Sequence, residues 1–369
     1  MAGSRVPYQL RVNKNVDRNI FVELLFKIFL HQKANKIANY TYLGFGGYAF
    51  EDFKLLHLRL GISKMISLEN DEGVFIRQGF NKPYSCIDLK NEYFGKFIEE
   101  TCLPSPCIIW LDYADANKRG EQLEEFGKCL DKTSPWDVLR ITMNANPSTL
   151  DDVWKDEYAD ENLDILQEEL KKLTCDNIPL RHQIMRVKRF LALEKQLQQE
   201  YIPSQRTEKT KGDRIMNQKN FPRLLYYAII AIANKRLFNT EQQFLPLLGL
   251  TYNDFVHNML TVTGIVLEKN ENVESFLKLT GIKDWELFLG NESVDWSNVK
   301  IQDIGVPELT VKEKGAIDAL LPHSHEESDS IKTFKVEVEE KYKIKFEEQE
   351  IENYLKFYRY YPSFRQVWL

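Results

Sequence analysis

The hydrophobic pattern of the first 150 residues alternates between two periods. Apolar residues recur at helical spacing in "DRNIFVELLFKIFL" (17–30) and in "AFEDFKLLHLRL" (49–60). Shorter apolar runs, such as "YTYLG" (40–44) and "CIIWLDY" (107–113), are typical of buried strands. Strands that alternate with helices at this interval predict a parallel sheet covered by helices on both faces.

The same pattern predicts further strands at "KMISLEN" (64–70), "YSCIDL" (84–89) and "WDVLRITMNAN" (136–146). After Pro147 the chain becomes charged and helical in period. Two runs rich in β-branched residues follow, "FLPLLGLTYND" (244–254) and "NMLTVTGIVLEK" (258–269). We interpret these two runs as a late antiparallel hairpin on the same sheet.

Composition narrows the class of protein. The chain has 369 residues, of which 43% are hydrophobic and 28% are charged, with a net charge of -6. This charge gives no overall attraction to nucleic acid or to an anionic membrane. No apolar run approaches the roughly 18 residues of a membrane span. The first residues show no apolar signal segment, and the five cysteines are scattered, so we expect a cytoplasmic protein with reduced thiols.

Three glycines lie between a predicted strand and a predicted helix, at Gly44, Gly46 and Gly47. Glycine permits positive φ and lets the backbone approach a ligand closely, and the following helix presents unpaired N–H groups. Glu69 lies 22 residues after Gly47, at the end of the next predicted strand. An acid at that position can accept hydrogen bonds from both ribose hydroxyls, so the arrangement favours a nucleoside-containing cofactor.

Two further acids come near the ends of later strands. Asp88 lies in "CIDL", where it could accept a hydrogen bond from an adenine amino group, and Asp112 and Tyr113 follow "IIWL". The glycine loop, Glu69, Asp88 and Asp112 are therefore predicted at the carboxyl ends of four successive strands. Ligands of open α/β sheets bind at that edge.

Taken together, these motifs resemble the class I S-adenosylmethionine-dependent methyltransferases over about residues 8–269. The resemblance implies a doubly wound, Rossmann-like sheet with a terminal antiparallel hairpin, and an activity of O-methyltransferase type. It implies that the glycine loop holds the methionine part of S-adenosylmethionine, Glu69 the ribose and Asp88 the adenine, while the motif at Asp112 faces the methyl group. In one position the chain departs from the family, because Tyr42 stands where an acid is usual.

The roles at the fourth strand remain open between alternatives. Asp112 is the candidate general base, or else a contact to the cofactor or the loop, and Tyr113 could orient a substrate. Asn144 and Asn146 could join Asp112 around a divalent ion, although one carboxylate is a poor magnesium site and we predict no metal.

Two other functions compete with methyl transfer. One is a silent methyltransferase-fold protein that binds a nucleotide, nucleic acid or a protein partner, an alternative favoured by Tyr42. The weaker one is an NAD-dependent oxidoreductase, since Gly44, Gly46 and Ala49 also fit the dinucleotide fingerprint.

The resemblance divides the chain into four parts. Residues 1–150 would form the cofactor-binding part with an N-terminal helix, 151–236 a mainly helical insertion, 237–270 the terminal hairpin and 271–369 a helical C-terminal region. Ahead of the first helix, Arg11 and Lys14 either cap the helix start with solvated charge or close over the carboxylate of the cofactor.

The C-terminal region ends in an aromatic run mixed with cations. The run could complete the core, form a surface for a protein partner or a second copy of the chain, or stack on nucleic-acid bases, which is the least favoured. The residues of this run are Tyr354, Lys356, Phe357, Tyr358, Arg359, Tyr360, Tyr361, Phe364, Arg365 and Trp368.

The acceptor of the methyl group is not evident from the sequence.

Overall fold

A computed structural model describes most of the chain, namely residues 11–30, 36–151, 180–197, 201–202, 216–254, 257–290, 299–323, 326 and 328–362. Its strands are β1 (Thr41–Gly44), β2 (Lys64–Glu69), β3 (Ile87–Asn91), β4 (Cys107–Asp112), β5 (Val138–Asn144), β6 (Gln242–Asp254), β7 (His257–Glu268) and β8 (Gln302–Ile304).

The helices of the described residues fall before, between and after these strands. None of them is long and apolar enough to cross a membrane. They are α1 (Val12–Phe29), α2 (Glu51–Leu60), α3 (Glu72–Asn81), α4 (Phe94–Glu100), α5 (Arg119–Leu130), α6 (Leu180–Gln196), α7 (Phe221–Leu237), α8 (Val273–Leu279), α9 (Val311–Asp318), α10 (Ser328–Tyr342) and α11 (Glu348–Phe357).

All eight strands form one sheet, in the order β3-β2-β1-β4-β5-β7-β6-β8. Strands β1 to β5 are parallel, and β7 runs antiparallel to both β5 and β6. The strand order reverses between β1 and β4, which is where ligands bind in sheets of this type. The predicted doubly wound sheet with a late antiparallel hairpin is confirmed.

One local prediction is wrong. Strand β3 begins at Ile87 and ends at Asn91, so it lies three residues later than the predicted span at its start and two later at its end. The described part of the region after residue 271 contains four helices, as predicted, but it also contributes the short strand β8, which pairs with β6 in parallel. The side chain of Thr251 on β6 donates a hydrogen bond of 2.8 Å to Asp303 on β8. The other domain boundaries stay predictions, and much of the predicted insertion lies outside the described residues.

The two faces of the sheet are covered by different helices. Helices α1 and α2 and the C-terminal helices pack on one face, around Trp110 of β4. Helices α4, α5, α6 and α7 pack on the other face, around Ile109 and Leu111 of the same strand. Since successive side chains of a strand point to opposite faces, β1, β2, β4, β5, β6 and β7 contribute to both cores, whereas the edge strands β3 and β8 contribute only to the first.

The aromatic residues of the C-terminal run are part of the first of these cores. Tyr354, Phe357, Tyr360 and Tyr361 are at most 5% exposed. The side chain of Asn19 on α1 donates a hydrogen bond of 2.8 Å to the carbonyl of Tyr360. The interpretation of these four residues as core is therefore confirmed.

The end of the run is outside the described part of the chain. Phe364, Arg365 and Trp368 lie there. A protein partner, a second copy or a nucleic acid at this run stays a prediction.

Candidate active site

The glycine turn connects the end of β1 to α2. Gly47 has a φ of +53°, a conformation that glycine adopts without strain. A Cβ atom on Gly46 would come within 2.6 Å of the Phe50 ring and 2.7 Å of the Ser67 hydroxyl. The N–H of Gly46 donates to that hydroxyl at 3.1 Å. The close neighbours of Gly46 and the positive φ of Gly47 thus favour glycine at both positions, and the turn is held tightly against β2.

Tyr42 of β1 stands where the resemblance leads one to expect an acid. A Cβ atom on Gly44 would lie 2.7 Å from its hydroxyl oxygen, so the phenol packs directly against the turn. Burial raises the pKa of Tyr42 well above its ordinary value, and the carboxylate of Asp52 adds to the effect. Tyr42 therefore stays neutral. The negative charge at this corner comes from Asp52 in the first turn of α2, which pairs with Arg18.

Glu69 ends β2, as predicted from the sequence. Glu69 is 9% exposed, and its carboxylate accepts a hydrogen bond of 2.9 Å from the N–H of Asp71. Burial raises the pKa of Glu69, although the backbone N–H groups of Asp71 and Asn70 oppose that effect. The carboxylate lies at the same edge of the sheet as the glycine turn.

Asp88 does not lie at that edge. It is the second residue of β3, three residues before the strand ends at Asn91, and its exposed side chain pairs with Lys90 at 2.8 Å. The expectation that Asp88 ends its strand is wrong, because β3 is an edge strand that continues through Lys90 and Asn91. Asn91 and Glu92 lie where Asp88 was expected, and the N–H of Glu92 donates to the carbonyl of Glu69.

Asp112 ends β4 and is bound by the first turn of α1. Lys14 Nζ lies 3.0 Å from its carboxylate. Burial alone would raise the pKa of Asp112, but Lys14, Arg18 and Arg140 together hold that pKa below its ordinary value. A carboxylate in this environment is ionised, strongly paired and a weak base.

A second ion pair ties the start of α1 to the hairpin. Arg11 Nη1 lies 2.7 Å from the carboxylate of Asp254 at the end of β6. Together with the Lys14–Asp112 pair, this contact lays the beginning of α1 across the carboxyl edge of the sheet. The side chains of Arg11, at the N-cap of α1, and of Lys14, in its first turn, are therefore largely buried, at 8% and 6% exposed, rather than solvated.

Tyr113 follows Asp112 but belongs to the opposite face. Its hydroxyl donates a hydrogen bond to Glu125 on α5, and its ring lies 5.6 Å from the ring of Phe45. Burial raises the pKa of Tyr113, and Glu125 raises it further. The Tyr113 hydroxyl, which was predicted to orient a substrate, therefore donates its hydrogen bond to α5.

A buried ion pair at the centre of the sheet was missed from the sequence. Arg140 of β5 and Asp17 of α1 are both fully buried and lie 2.6 Å apart. The guanidinium also donates 2.8 Å to the hydroxyl of Thr263, and lies 4.3 Å from the ring centre of Trp110. The one sequence feature that could have indicated this pair is an arginine in the middle of an otherwise apolar strand.

A second buried arginine, Arg119, was also missed. It begins α5 and donates to the carbonyls of Ala116 and Asn144 at 2.7 and 2.9 Å, and to the hydroxyl of Thr149 at 2.7 Å. Burial lowers the pKa of Arg119. Its hydrogen bonds join the loops that follow β4 and β5, so it shapes the edge of the site.

The asparagines considered for a metal site instead cap their own loop. Asn144 accepts a hydrogen bond of 3.0 Å from the N–H of Asn146, and Asn146 accepts one of 3.0 Å from the N–H of Ser148. In the described part of the chain, no group of three or more His, Cys, Asp or Glu side chains could hold a metal ion.

Solved structures that this chain resembles include several methyltransferases. Trm1 from Pyrococcus horikoshii, in complex with S-adenosyl-L-methionine, matches with 13% identity over 75% of this chain and 60% of that one, at a TM-score of 0.39. The O-methyltransferase from Bacillus cereus, in complex with SAH, matches with 13% identity over 72% and 84%, at a TM-score of 0.32. The O-methyltransferase TomG from Streptomyces achromogenes, in complex with SAM, matches with 9% identity over 68% of this chain and 79% of that one, at a TM-score of 0.32.

These likenesses are partial. The chain spans 60% to 64% of the length of three of the solved structures that it matches, Trm1 among them. No curated protein matches the chain. The sequence pattern of one protein family, described as "Putative O-methyltransferase", matches residues 6–369, which is nearly the whole chain, and the chain belongs to that family.

Proposed function

We propose that this protein transfers a methyl group from S-adenosylmethionine to an oxygen of an acceptor. The observation that supports this proposal is the meeting of the glycine turn, Glu69 and Asp112 at the point where the strand order reverses, in a chain of this family. Ligands of open α/β sheets bind at that point.

The residues fit a nucleoside donor with an amino-acid end. Gly46 leaves no room for a side chain at the turn, so only backbone lines it there. Glu69 places a carboxylate at the end of β2, where it can accept hydrogen bonds from ribose hydroxyls. Asp88 is too far from the edge for the adenine role that the resemblance implied, so we leave the adenine contact unassigned.

The sulfonium of the donor supplies an activated methyl group, and the protein has to align the acceptor oxygen with it in a dry pocket. We propose that Asp112 acts chiefly through its charge. It holds Lys14, and thereby the start of α1, over the donor site. Its lowered pKa makes it a poor proton acceptor, so the acceptor proton leaves by another group or to water.

Binding of the donor is the first test. S-adenosylmethionine should stabilise the protein, by about 2.7 kcal/mol at 100 times the dissociation constant, whereas NAD should not. Glu69→Ala should weaken calorimetric affinity, while Glu72→Ala, on the exposed first turn of α3, should leave it unchanged. Binding of NAD alone, or equal affinity in Glu69→Ala and wild type, would contradict the proposal.

Turnover is the second test. Transfer of labelled methyl groups should be screened against cell extract with the wild-type protein and with Asp112→Asn and Tyr113→Phe. If Asp112 acts through its charge, Asp112→Asn should weaken both donor affinity and transfer. Loss of transfer with unchanged affinity would instead make Asp112 the general base. Donor binding without labelling of any acceptor would favour a silent methyltransferase-fold protein.

A further inference from the structure

The open edge of the sheet at β3 has an unusual combination of charge and exposed apolar surface. Asp88 and Lys90 lie on one face of this edge strand, with side chains 60% and 44% exposed. On the other face, α3 packs beside β3 and turns Ile76 and Phe80 outward, 65% and 92% exposed. These two apolar side chains are four residues apart, so they share one side of the helix.

The hydrogen bonds to β2 show which peptide groups of β3 face outward. The carbonyl of Cys86 accepts from Met65 of β2, and the N–H of Glu92 donates to Glu69 of β2. Peptide groups point alternately to the two sides of a strand, so the even-numbered residues of β3 face β2. The peptide groups of Leu89 and Asn91 therefore face away from the sheet, where a further strand could pair with them.

The sequence of β3 is complementary to itself in one antiparallel register. If Leu89 lies opposite the Leu89 of a second copy, Asp88 lies opposite the second copy's Lys90, and Lys90 opposite its Asp88. Leu89 then forms a hydrogen-bonded pair, and the two charged pairs are of the non-hydrogen-bonded kind, in which opposing side chains are closest. Both ion pairs are thus favoured in the same arrangement.

This register also fixes the symmetry of the contact. Antiparallel pairing through Leu89 puts a two-fold axis perpendicular to the sheet, so both copies of α3 lie on the same face. Val74 and Gln78 of α3 face the sheet, and Ile76 and Phe80 each follow one of them by two residues, so these two apolar side chains point away from the sheet and lie outside the paired edge. A two-fold contact of this type is closed and self-limiting, which is the commonest form of homo-oligomer.

We propose that β3 forms a homodimer interface, in which two copies of the sheet join edge to edge through Leu89. The occupant of this edge is a second copy of the chain, because in this register each of the two exposed charges of β3 meets an opposite charge of the other copy, in place of the pair that Asp88 and Lys90 form within one chain. The interface is separate from the aromatic C-terminal run, of which Tyr354, Phe357, Tyr360 and Tyr361 are buried within one copy.

The test measures the oligomeric state of the full chain by sedimentation velocity over a range of concentrations. The wild-type protein should dimerise. Asp88→Lys places lysine opposite lysine in both charged pairs and should raise the dimer dissociation constant roughly tenfold or more. The exchange variant Asp88→Lys/Lys90→Asp recreates both ion pairs and should restore the constant to within about threefold of wild type.

A second pair of variants tests whether the contact is confined to the edge strand. Phe80→Ser, at a residue 92% exposed on the outer side of α3, and Leu279→Ser, at a residue 58% exposed on α8, should both leave the dimer dissociation constant unchanged. Circular dichroism and melting temperature verify that each variant is folded. A protein that is monomeric at every concentration would overturn the proposal. So would a dimer that tolerates Asp88→Lys, or one that the exchange variant fails to restore.

Discussion

The two faces of the sheet differ in chemistry although the same strands build both. The contrast is clearest on β5, whose side chains are all buried. Arg140, Thr142 and Asn144 alternate along it with Leu139, Ile141 and Met143. The first set lies on the face covered by α1, where Arg140 meets Asp17 and Thr142 accepts a hydrogen bond from Trp110. The second set packs in the apolar core with α5 and α7.

This difference indicates where the sheet serves function and where it serves stability. Burying a charged pair costs desolvation that a well-packed apolar pair avoids, so such pairs are poor devices for stability alone. Asp112 with Lys14 and Asp52 with Arg18 lie on the polar face, and alternation along β2 places Glu69 on it too. We infer that the polar residues on the face under α1 serve the proposed donor site, whereas apolar residues pack as a core on both faces.

The largest effect should come from breaking the central ion pair of the polar face. Arg140→Met leaves the carboxylate of Asp17 buried without its partner, so the free energy of unfolding should fall by about 3–5 kcal/mol. The double variant Arg140→Met/Asp17→Leu should recover most of this loss. Urea denaturation measures both.

The matched control is a variant of Met143, which lies on β5 like Arg140 but on the opposite face of the sheet. Met143→Leu keeps the volume of a buried apolar residue and should cost less than about 1.5 kcal/mol. If Arg140→Met costs no more than this control, the buried pair is not a major constraint and the comparison of the two faces fails.

A smaller effect is expected at the edge of the polar face. Lys14→Met should lower the free energy of unfolding by about 1.5–3 kcal/mol near neutral pH, since it removes a buried hydrogen bond to an ionised carboxylate. The pKa of Asp112 lies below its ordinary value when folded. The Asp112 carboxylate therefore contributes stability that is present above its pKa in the unfolded chain and is lost as the pH falls through its pKa in the folded protein. The cost of Lys14→Met should accordingly shrink in strongly acidic solution.

Lys54→Met provides the comparison for this variant. Lys54 pairs with Glu51 at 3.2 Å on the surface of α2, with a side chain 35% exposed, and such pairs contribute about 0–1 kcal/mol. Denaturation of both variants near pH 7 and at successively lower pH tests the prediction. A cost for Lys14→Met that is independent of pH would show that its loss acts through packing and not through Asp112.

The features predictable from the sequence were those carried by local patterns. The apolar runs of β1 and β4, the glycine turn and the two runs of the hairpin each contain their own periodicity or turn chemistry. Glu69 and Asp112 were found because each directly follows such a run. Since each of them is the last residue of a parallel strand, the predicted end of the strand was sufficient to place it at the carboxyl edge of the sheet.

The features that were missed depend on residues far apart in the chain. Lys14 and Asp112 are separated by 98 positions, so no local pattern links them. Strand β8 has three residues, too few to show an alternation, and it forms because β6 offers it an edge. Strand β3 was ended too early because Lys90 and Asn91 resemble a turn, whereas on an edge strand they continue the alternation.

The smallest predicted effect distinguishes two acids of the polar face by their neighbours. Asp112 has cations around it and remains ionised, whereas burial raises the pKa of Glu69 and no lysine or arginine is among the causes of that shift. As the pH falls, Glu69 should therefore take up its proton earlier than an ordinary glutamate and lose acceptor strength toward the ribose. Affinity for S-adenosylmethionine should decrease by about two- to tenfold across this transition, the equivalent of one hydrogen bond. Calorimetric titrations of wild type and Glu69→Gln from neutral pH down through the ordinary titration range of glutamate measure the change, and Glu69→Gln should bind more weakly and without this slope. Should both proteins show the same pH dependence, the titrating group is another one, and Glu69 is not the ribose acceptor.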